Sequence, residues 1–421
     1  MAAGLPDLEV RRDRLQADLE AIARFTDPHL PYTRRAFTPQ YAEARRWLTE
    51  RFIEAGLDVR IDAAGNLIGR RGGAGDRVLM LGSHTDTVEA GGRFDGIVGV
   101  MGALEVARVL KEAGIELSLP LEVVDFVCEE PTIVNLSPLG SRLMAGDVTA
   151  AHIAATETPF GQPLADAIDA LGGNAKQVEA ARRKLGDIAG YLELHIEQGS
   201  VLEREGLAVG VVTTIAAPCR ALVALTGAAD HAGATAMPDR RDALAGAAEL
   251  VLAVERIAST PGMVAEGVGT VGWLRVSPNM VNVIPGRVDL TIEVRSTEAE
   301  ALAVARREIE TEIHDIAERR KLEATFDWQH IELPVPLPEH MRNAVAQACD
   351  DLAVPYRYLP SRASHDAARL APIAPAGMVF IRCKDGRSHC PEEWADMDDI
   401  VEGTRVLGQA LLRVDEMVRG S

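Results

Sequence analysis

Short apolar runs alternate with amphipathic stretches up to residue 213, and at Thr214 that texture stops. Upstream of the break, the spacing predicts helices over residues 8–26, 38–56, 97–113, 164–172 and 177–185, the second ending on Gly56 as a helix C-cap does. A strand pair over 57–73 turns at Gly65, and compact apolar runs at 78–81, 121–127 and 191–196 read as buried strands. Strands alternating with helices imply an α/β fold with a mostly parallel, mixed sheet covered by helices. Downstream, strand patterns at 220–225, 267–276, 287–294 and 322–328 are interleaved with long helical patterns at 242–259 and 297–320. That βαββαβ order describes a small antiparallel sheet with two helices, an inserted α+β domain. Pro334, Pro336 and Pro338 punctuate a linker before a helix at 341–352 and a strand at 378–381 restore the first texture. The main domain is therefore read as discontinuous, 1–213 and 333–421, with 214–332 inserted.

A chain of 421 residues exceeds one ordinary core, which agrees with two domains. Hydrophobic residues make up 47% and charged residues 25%, a globular rather than a disordered balance. Lys and Arg number 44 against 63 Asp and Glu, a formal charge of −19 that repels nucleic acid and anionic lipid but not a small acid met by local arginines. Cys128, Cys219, Cys349, Cys383 and Cys390 are dispersed and form no Cys-x-x-Cys pair, which argues against a disulfide framework or a zinc knuckle. The charged, amphipathic N-terminal stretch lacks the apolar run of a signal peptide, and no run of about 18 apolar residues suits a membrane span. The cytoplasm is the expected compartment.

Chemistry concentrates at strand ends. His84 closes the run Gly82-Ser83-His84 at the carboxyl end of a predicted strand, where open α/β sheets place ligand sites. Its position two residues before Asp86 suits a metal ligand whose other N–H a carboxylate holds, and equally a polar turn. Asp95, in Gly91-Gly92-Arg93-Phe94-Asp95-Gly96, can bridge two cations with its two oxygens or cap the helix beginning at Ile97. Glu129 and Glu130 follow a strand directly, so one can hold a cation and the other a proton, or both can begin a charged loop. His195, at another strand end, and His365, at a helix start, each read alone as structural residues. As a set, these five ligand candidates (His84, Asp95, Glu130, His195, His365) are borderline-hard donors suited to zinc, manganese or cobalt.

The ordered segments GSHTDTV, GGRFDG, CEE, LELHIEQG, HAGATAMPDRRDAL, NMVNVIPGRVDL, EVRS and SHDAA resemble the di-metal amidase superfamily of aminoacylases and glutamate carboxypeptidases. Within it they are similar to the N-carbamoyl-L-amino acid and allantoate amidohydrolases, from about residue 40 to about 410. The resemblance implies two divalent ions per subunit, zinc or else manganese, cobalt or nickel. His84, Asp95 and His195 would hold one, and Asp95, Glu130 and His365 the other, with Asp95 bridging. It implies further that Asp86 orients His84, that Glu129 is the general base, and that His195 in place of a carboxylate marks the carbamoylase side.

The inserted domain would then serve as lid and dimerisation domain of a homodimer. His231, in Asp230-His231-Ala232-Gly233, would reach the partner's site and stabilise the oxyanion; Asn282 and Arg295 would grip the carboxylate of a small-molecule substrate, a geometry that suits a guanidinium fork. Gln198 is a candidate for recognising the carbamoyl amide, and His389 for lining the pocket. The expected reaction is hydrolysis of the ureido C–N bond of an N-carbamoyl-L-amino acid, with allantoate, β-ureidopropionate or an acylated amino acid as alternatives. Two segments depart from the family pattern, Pro131 to Leu136 and Ser361-Arg362-Ala363-Ser364, and both bear on specificity rather than metal binding.

Overall fold

The computed structural model describes residues 5–73, 75, 77–132, 136–260 and 267–420. Residues 133–135, the middle of the first departing segment, lie outside the described residues. Six strands precede the break in texture: β1 (Asp58–Ile61), β2 (Leu67–Arg71), β3 (Val78–His84), β4 (Leu121–Phe126), β5 (Ile188–Ile196) and β6 (Val209–Ile215). The insert carries β7 (Ala217–Thr226), β8 (Val268–Ser277), β9 (Arg287–Ser296) and β10 (Glu323–Ile331). After it come β11 (Val335–Pro336), β12 (Tyr356–Ser361) and β13 (Ala376–Ile381).

The chain divides into two compact units, one of residues 1–213, 337–359 and 365–421, the other of residues 214–336 and 360–364. The larger sheet runs β1-β2-β4-β3-β5-β13-β6-β11, with β12 also paired to β6. Its middle is parallel, β3 to β4, β3 to β5 and β13 to β5, and antiparallel pairs flank it on both sides. Every residue of β3, β4, β5 and β13 is buried, as continuous apolar runs covered on both faces require. The four parallel strands therefore present their carboxyl ends at one edge of the sheet.

The helix Ile97–Glu112 is buried over nearly its whole length and packs on β3 and β5, while the terminal helix Met397–Arg419 covers it and β5. Leu104, Leu194, Leu407 and Leu411 belong to this core, and each such side chain stabilises the fold by about 1.5–3 kcal/mol through burial. The helix Met397–Arg419 and the strands β6 and β12 add to the elements expected from the sequence. In place of the expected helix over 177–185 there is a 3-10 helix, Ala175–Ala181, kinked at Gln177 (φ −126°).

The second unit is a four-stranded antiparallel sheet ordered β10-β7-β9-β8, joined by the helices Ala243–Ser259 and Ala299–Arg320 in βαββαβ sequence. Its own core comprises the inward faces of β7 and β9 with Leu250, Ile309 and Ile313. No helix among the described residues is long and apolar enough to cross a membrane.

Candidate metal centre

β3 and β5 carry histidines at the common edge, β4 leads to Glu129 and Glu130 just beyond its end, and the turn after β13 carries His389. His84 is the last residue of β3, and its Nδ1 lies 3.1 Å from the backbone carbonyl oxygen of Asp86. His195 stands one residue before the end of β5, with Nδ1 2.9 Å from the carbonyl oxygen of Ile196. A carbonyl only accepts, so both rings donate from Nδ1 and turn Nε2 toward the pocket, where that of His195 accepts the Gly96 N–H at 3.1 Å. Those Nε2 atoms lie 3.7 Å and 3.1 Å from the same oxygen, Oδ1 of Asp95.

Asp95 does not cap the following helix. The N-cap is Gly96, with no side-chain cap, and its φ of +67° favours glycine. A Cβ on Gly96 would fall 2.2 Å from Nε2 of His84, so the loop admits no side chain there.

Asp86 meets His84 more closely through its backbone carbonyl than through its carboxylate, the expected contact. Its carboxylate is 3.6 Å from Nδ1 of His84, farther than its own carbonyl, and its two oxygens accept the backbone N–H groups of Glu129 (3.2 Å) and Glu130 (3.1 Å). The aspartate thus fixes the turn that presents both glutamates beyond β4. Oε2 of Glu129 lies 3.7 Å from Nε2 of His84.

The structure brings His84, Asp95, Glu130 and His195 together, but the fifth expected ligand is displaced. Nε2 of His389 lies 3.3 Å from Oδ2 of Asp95 and 3.4 Å from Oε1 of Glu130. Donor atoms cluster within 4.8 Å as His84/Asp95/His195 and as Asp95/Glu130/His389. His365 joins a different cluster, with Glu193 and His195, and its ring stacks edge-on against His195 at 4.4 Å between centroids. Glu193 there already accepts from the hydroxyls of Ser83 and Tyr191 and from the N–H of Ala367. The imidazole grouped with Asp95 and Glu130 is His389, because the turn after β13 reaches that carboxylate pair, while His365 groups with His195 and Glu193.

The electrostatics favour a cation. Burial pushes the Glu129 carboxyl well above the usual range, helped by the charges of Asp366 and Glu130. Burial and the charge of Asp95 push Glu130 up to about 7. The hydrogen bond to Asp95 holds His389 up to about 9. Burial alone would raise Asp95, yet the imidazoles of His195 and His389 hold it well below the ordinary carboxylate range. The ion pairs of Asp95, Glu129 and Glu130 among the described residues run only to histidines. A buried pocket crowded with carboxylates and neutral-capable imidazoles fits divalent ions, which would relieve the mutual repulsion.

Gln198 donates from Nε2 to Oδ2 of Asp95, and its Oε1 is buried with no hydrogen-bond partner. In the second unit, His231 forms a bridge with Val283, its Nδ1 accepting from the N–H groups of Gly233 and Ala234. The N–H of Ala232 bonds the carbonyl of Asn282, so the His231 and Asn282 segments are joined. Arg295, on β9, donates to Glu293 (2.7 Å) and to the carbonyl of Arg362 (3.0 Å).

A family model described as peptidase family M20/M25/M40 matches residues 80–413. The chain belongs to this family. An N-carbamoyl-L-amino acid amidohydrolase from Geobacillus stearothermophilus is 40% identical to this M20 chain over 377 residues, 89% of this chain and 91% of its own length. A ureidoglycolate hydrolase from Oryza sativa subsp. japonica is 38% identical, over 98% of this chain and 87% of its own. Allantoate amidohydrolases are among the relatives at 32% identity. The crystal structure of an amidase of the hydantoinase/carbamoylase family from Burkholderia multivorans matches with a TM-score of 0.88 at 36% identity, covering 97% of this chain and 99% of that one. This M20 chain is thus a hydrolase of the amidohydrolase kind, and its mixed α/β fold with a separate antiparallel sheet is the fold of that amidase.

Proposed function

We propose that the protein hydrolyses the ureido C–N bond of an N-carbamoyl-L-amino acid, using two divalent ions held by His84, Asp95 and His195 and by Asp95, Glu130 and His389. The observation that carries the reading is Gln198: it donates to the Asp95 carboxylate and keeps a buried, unpartnered amide oxygen, an acceptor suited to the terminal NH2 of a ureido group. The 40% identity to an N-carbamoyl-L-amino acid amidohydrolase supports it.

Two ions at these ligands would supply Lewis acidity and lower the pKa of the attacking water. Glu129, whose burial makes it basic, takes the proton from water as oxygen attacks the ureido carbon, then passes it to the departing nitrogen. The C–N bond to that nitrogen breaks and ammonia leaves; the remaining carbamate falls apart to the L-amino acid and carbon dioxide. The second unit supplies recognition: Arg295 and Asn282 hold the carboxylate, and the partner's His231 meets the developing oxyanion. The homodimer this requires is supported by the edge strand β8, which leaves Trp273 and Leu274 exposed.

A second reading is ureidoglycolate or allantoate hydrolysis, favoured by relatives of those names at 38% and 32% identity. A panel of N-carbamoyl-L-amino acids, ureidoglycolate, allantoate, β-ureidopropionate and N-acetyl amino acids, assayed with added manganese or zinc, tests the proposal. Fastest turnover of a carbamoyl amino acid supports it; preference for either other ureide transfers the site to the second reading. Turnover of the acetylated substrates alone removes both.

A further inference from the structure

Outside the ligands, one buried carboxylate is engaged by both segments that meet at Asp95 and His389. Glu393 is 1% exposed, and its Oε1 accepts the backbone N–H groups of Phe94 (2.7 Å) and Asp95 (3.1 Å). Its Oε2 accepts from the hydroxyl of Ser388 (2.7 Å), and that same hydroxyl lies 2.6 Å from Oδ2 of Asp95. Ser388 precedes His389, so a single carboxylate spans the loop that carries one ligand and the turn that carries the other. No lysine or arginine pairs with Glu393 among the described residues; its partners are two amides and a hydroxyl.

The glycine pattern of the loop supports this independently. Gly92 has no positive φ, so no backbone strain calls for glycine there. A Cβ at Gly92 would instead fall 1.9 Å from Oε1 of Glu393. The residue is glycine because Glu393 occupies the space. On the outer side, the Phe94 and Trp394 rings meet edge-on at 5.7 Å, and the Arg93 guanidinium stacks 5.4 Å from each. The two segments are laced on both faces.

We infer that Glu393, through Ser388, is a positioning residue that sets the spacing of Asp95 and His389 and thereby the metal affinity of the centre. Outer partners of this kind are worth about 10–100-fold in metal affinity. The inference rests on the proposed two-ion reading, and its test separates the two. Metal-free wild type, Glu393→Ala, Glu393→Gln and Ser388→Ala are dialysed against graded zinc or manganese. Bound metal is counted by mass spectrometry, melting of the metal-free forms is recorded, and kcat and KM are measured across metal concentrations.

The expected result is binding of at least one ion weakened about 10–100-fold in Glu393→Ala. Ser388→Ala shifts the same way by less, with a metal-free Tm near wild type, and excess metal restores kcat without a change in KM. Wild-type metal affinity in Glu393→Ala overturns the inference. If that variant does not fold, wild-type affinity in Ser388→Ala overturns it. A wild-type protein that binds no metal sinks the two-ion reading itself, whereas two ions in wild type and unchanged variants sink only the role of Glu393.

Discussion

Nε2 of His389 lies 3.3 Å from Oδ2 of Asp95, which makes the last histidine of the chain a neighbour of the proposed bridging carboxylate. The expected consequence separates two ligand sets. His389→Ala loses one of two ions, with affinity lowered by more than the roughly 100-fold that an outer partner commands. His365→Ala keeps both ions, since its donor atom groups with those of Glu193 and His195, whereas that of His389 groups with Asp95 and Glu130. Metal analysis of the two purified variants decides between them.

Glu129→Gln keeps the carbonyl oxygen but removes the group that accepts a proton. Turnover falls about 10²–10⁴-fold with KM little changed and two ions still bound. Near-normal kcat in the metal-loaded variant would exclude Glu129 as the base.

Metal binding strengthens as pH rises. Below about 7 Glu130 carries a proton, and below about 9 His389 is an imidazolium. Both must deprotonate to serve as ligands, so binding releases protons and affinity drops as pH falls from above 9 to below 7. Calorimetric metal titrations in buffers of different ionisation enthalpy read the protons directly; a pH-independent affinity with no release would contradict the assignment of these two residues.

Gly96→Ala places a methyl 2.2 Å from Nε2 of His84 at a φ of +67°. The backbone cost is of order 1–3 kcal/mol, and the ring is displaced from Asp95. A lower Tm of the metal-free form together with weaker metal binding is expected. A fall in Tm with unaltered metal affinity would show that the imidazole is not held by this contact.

Arg295→Lys replaces a planar fork by a point charge, and KM for a carboxylate substrate rises about tenfold while kcat changes less. Steady-state kinetics on the best substrate of the panel check it. An unchanged KM would release Arg295, whose Nε and Nη1 are already bonded to Glu293 and to the Arg362 carbonyl, from substrate binding.

Much of this was legible in the residues because strand ends announce themselves. The apolar runs before His84, Glu129 and His195 locate three of the four carboxyl edges, and the βαββαβ insert follows from alternation against helical spacing. In sequence Asp95 suits both cap and ligand, and the observed cap at Gly96 removes the first of these. His389 reads from the sequence as a pocket residue and not as the partner of Glu130, because nothing in Gly386-Arg387-Ser388-His389 states how far the turn reaches. His365 enters the ligand set only through the resemblance, which carries no information about its distance from Glu130. The terminal helix did carry a signal: Ile400, Leu407, Leu411 and Val414 recur at helical spacing and are all buried. Glu393 gave none, since one glutamate in a polar turn says nothing of the amides it will accept.

The place of β13 has a consequence for biosynthesis. It lies inside the sheet, between β5 and β6, although both of those strands are made before it. A nascent chain that has emerged only through the inserted unit holds β5 paired to β3 but not to β13, and lacks both Glu393 and His389. The proposed centre can therefore close only once β13 has entered between two strands made earlier, and a chain halted before that point is expected to take up metal weakly and to turn nothing over.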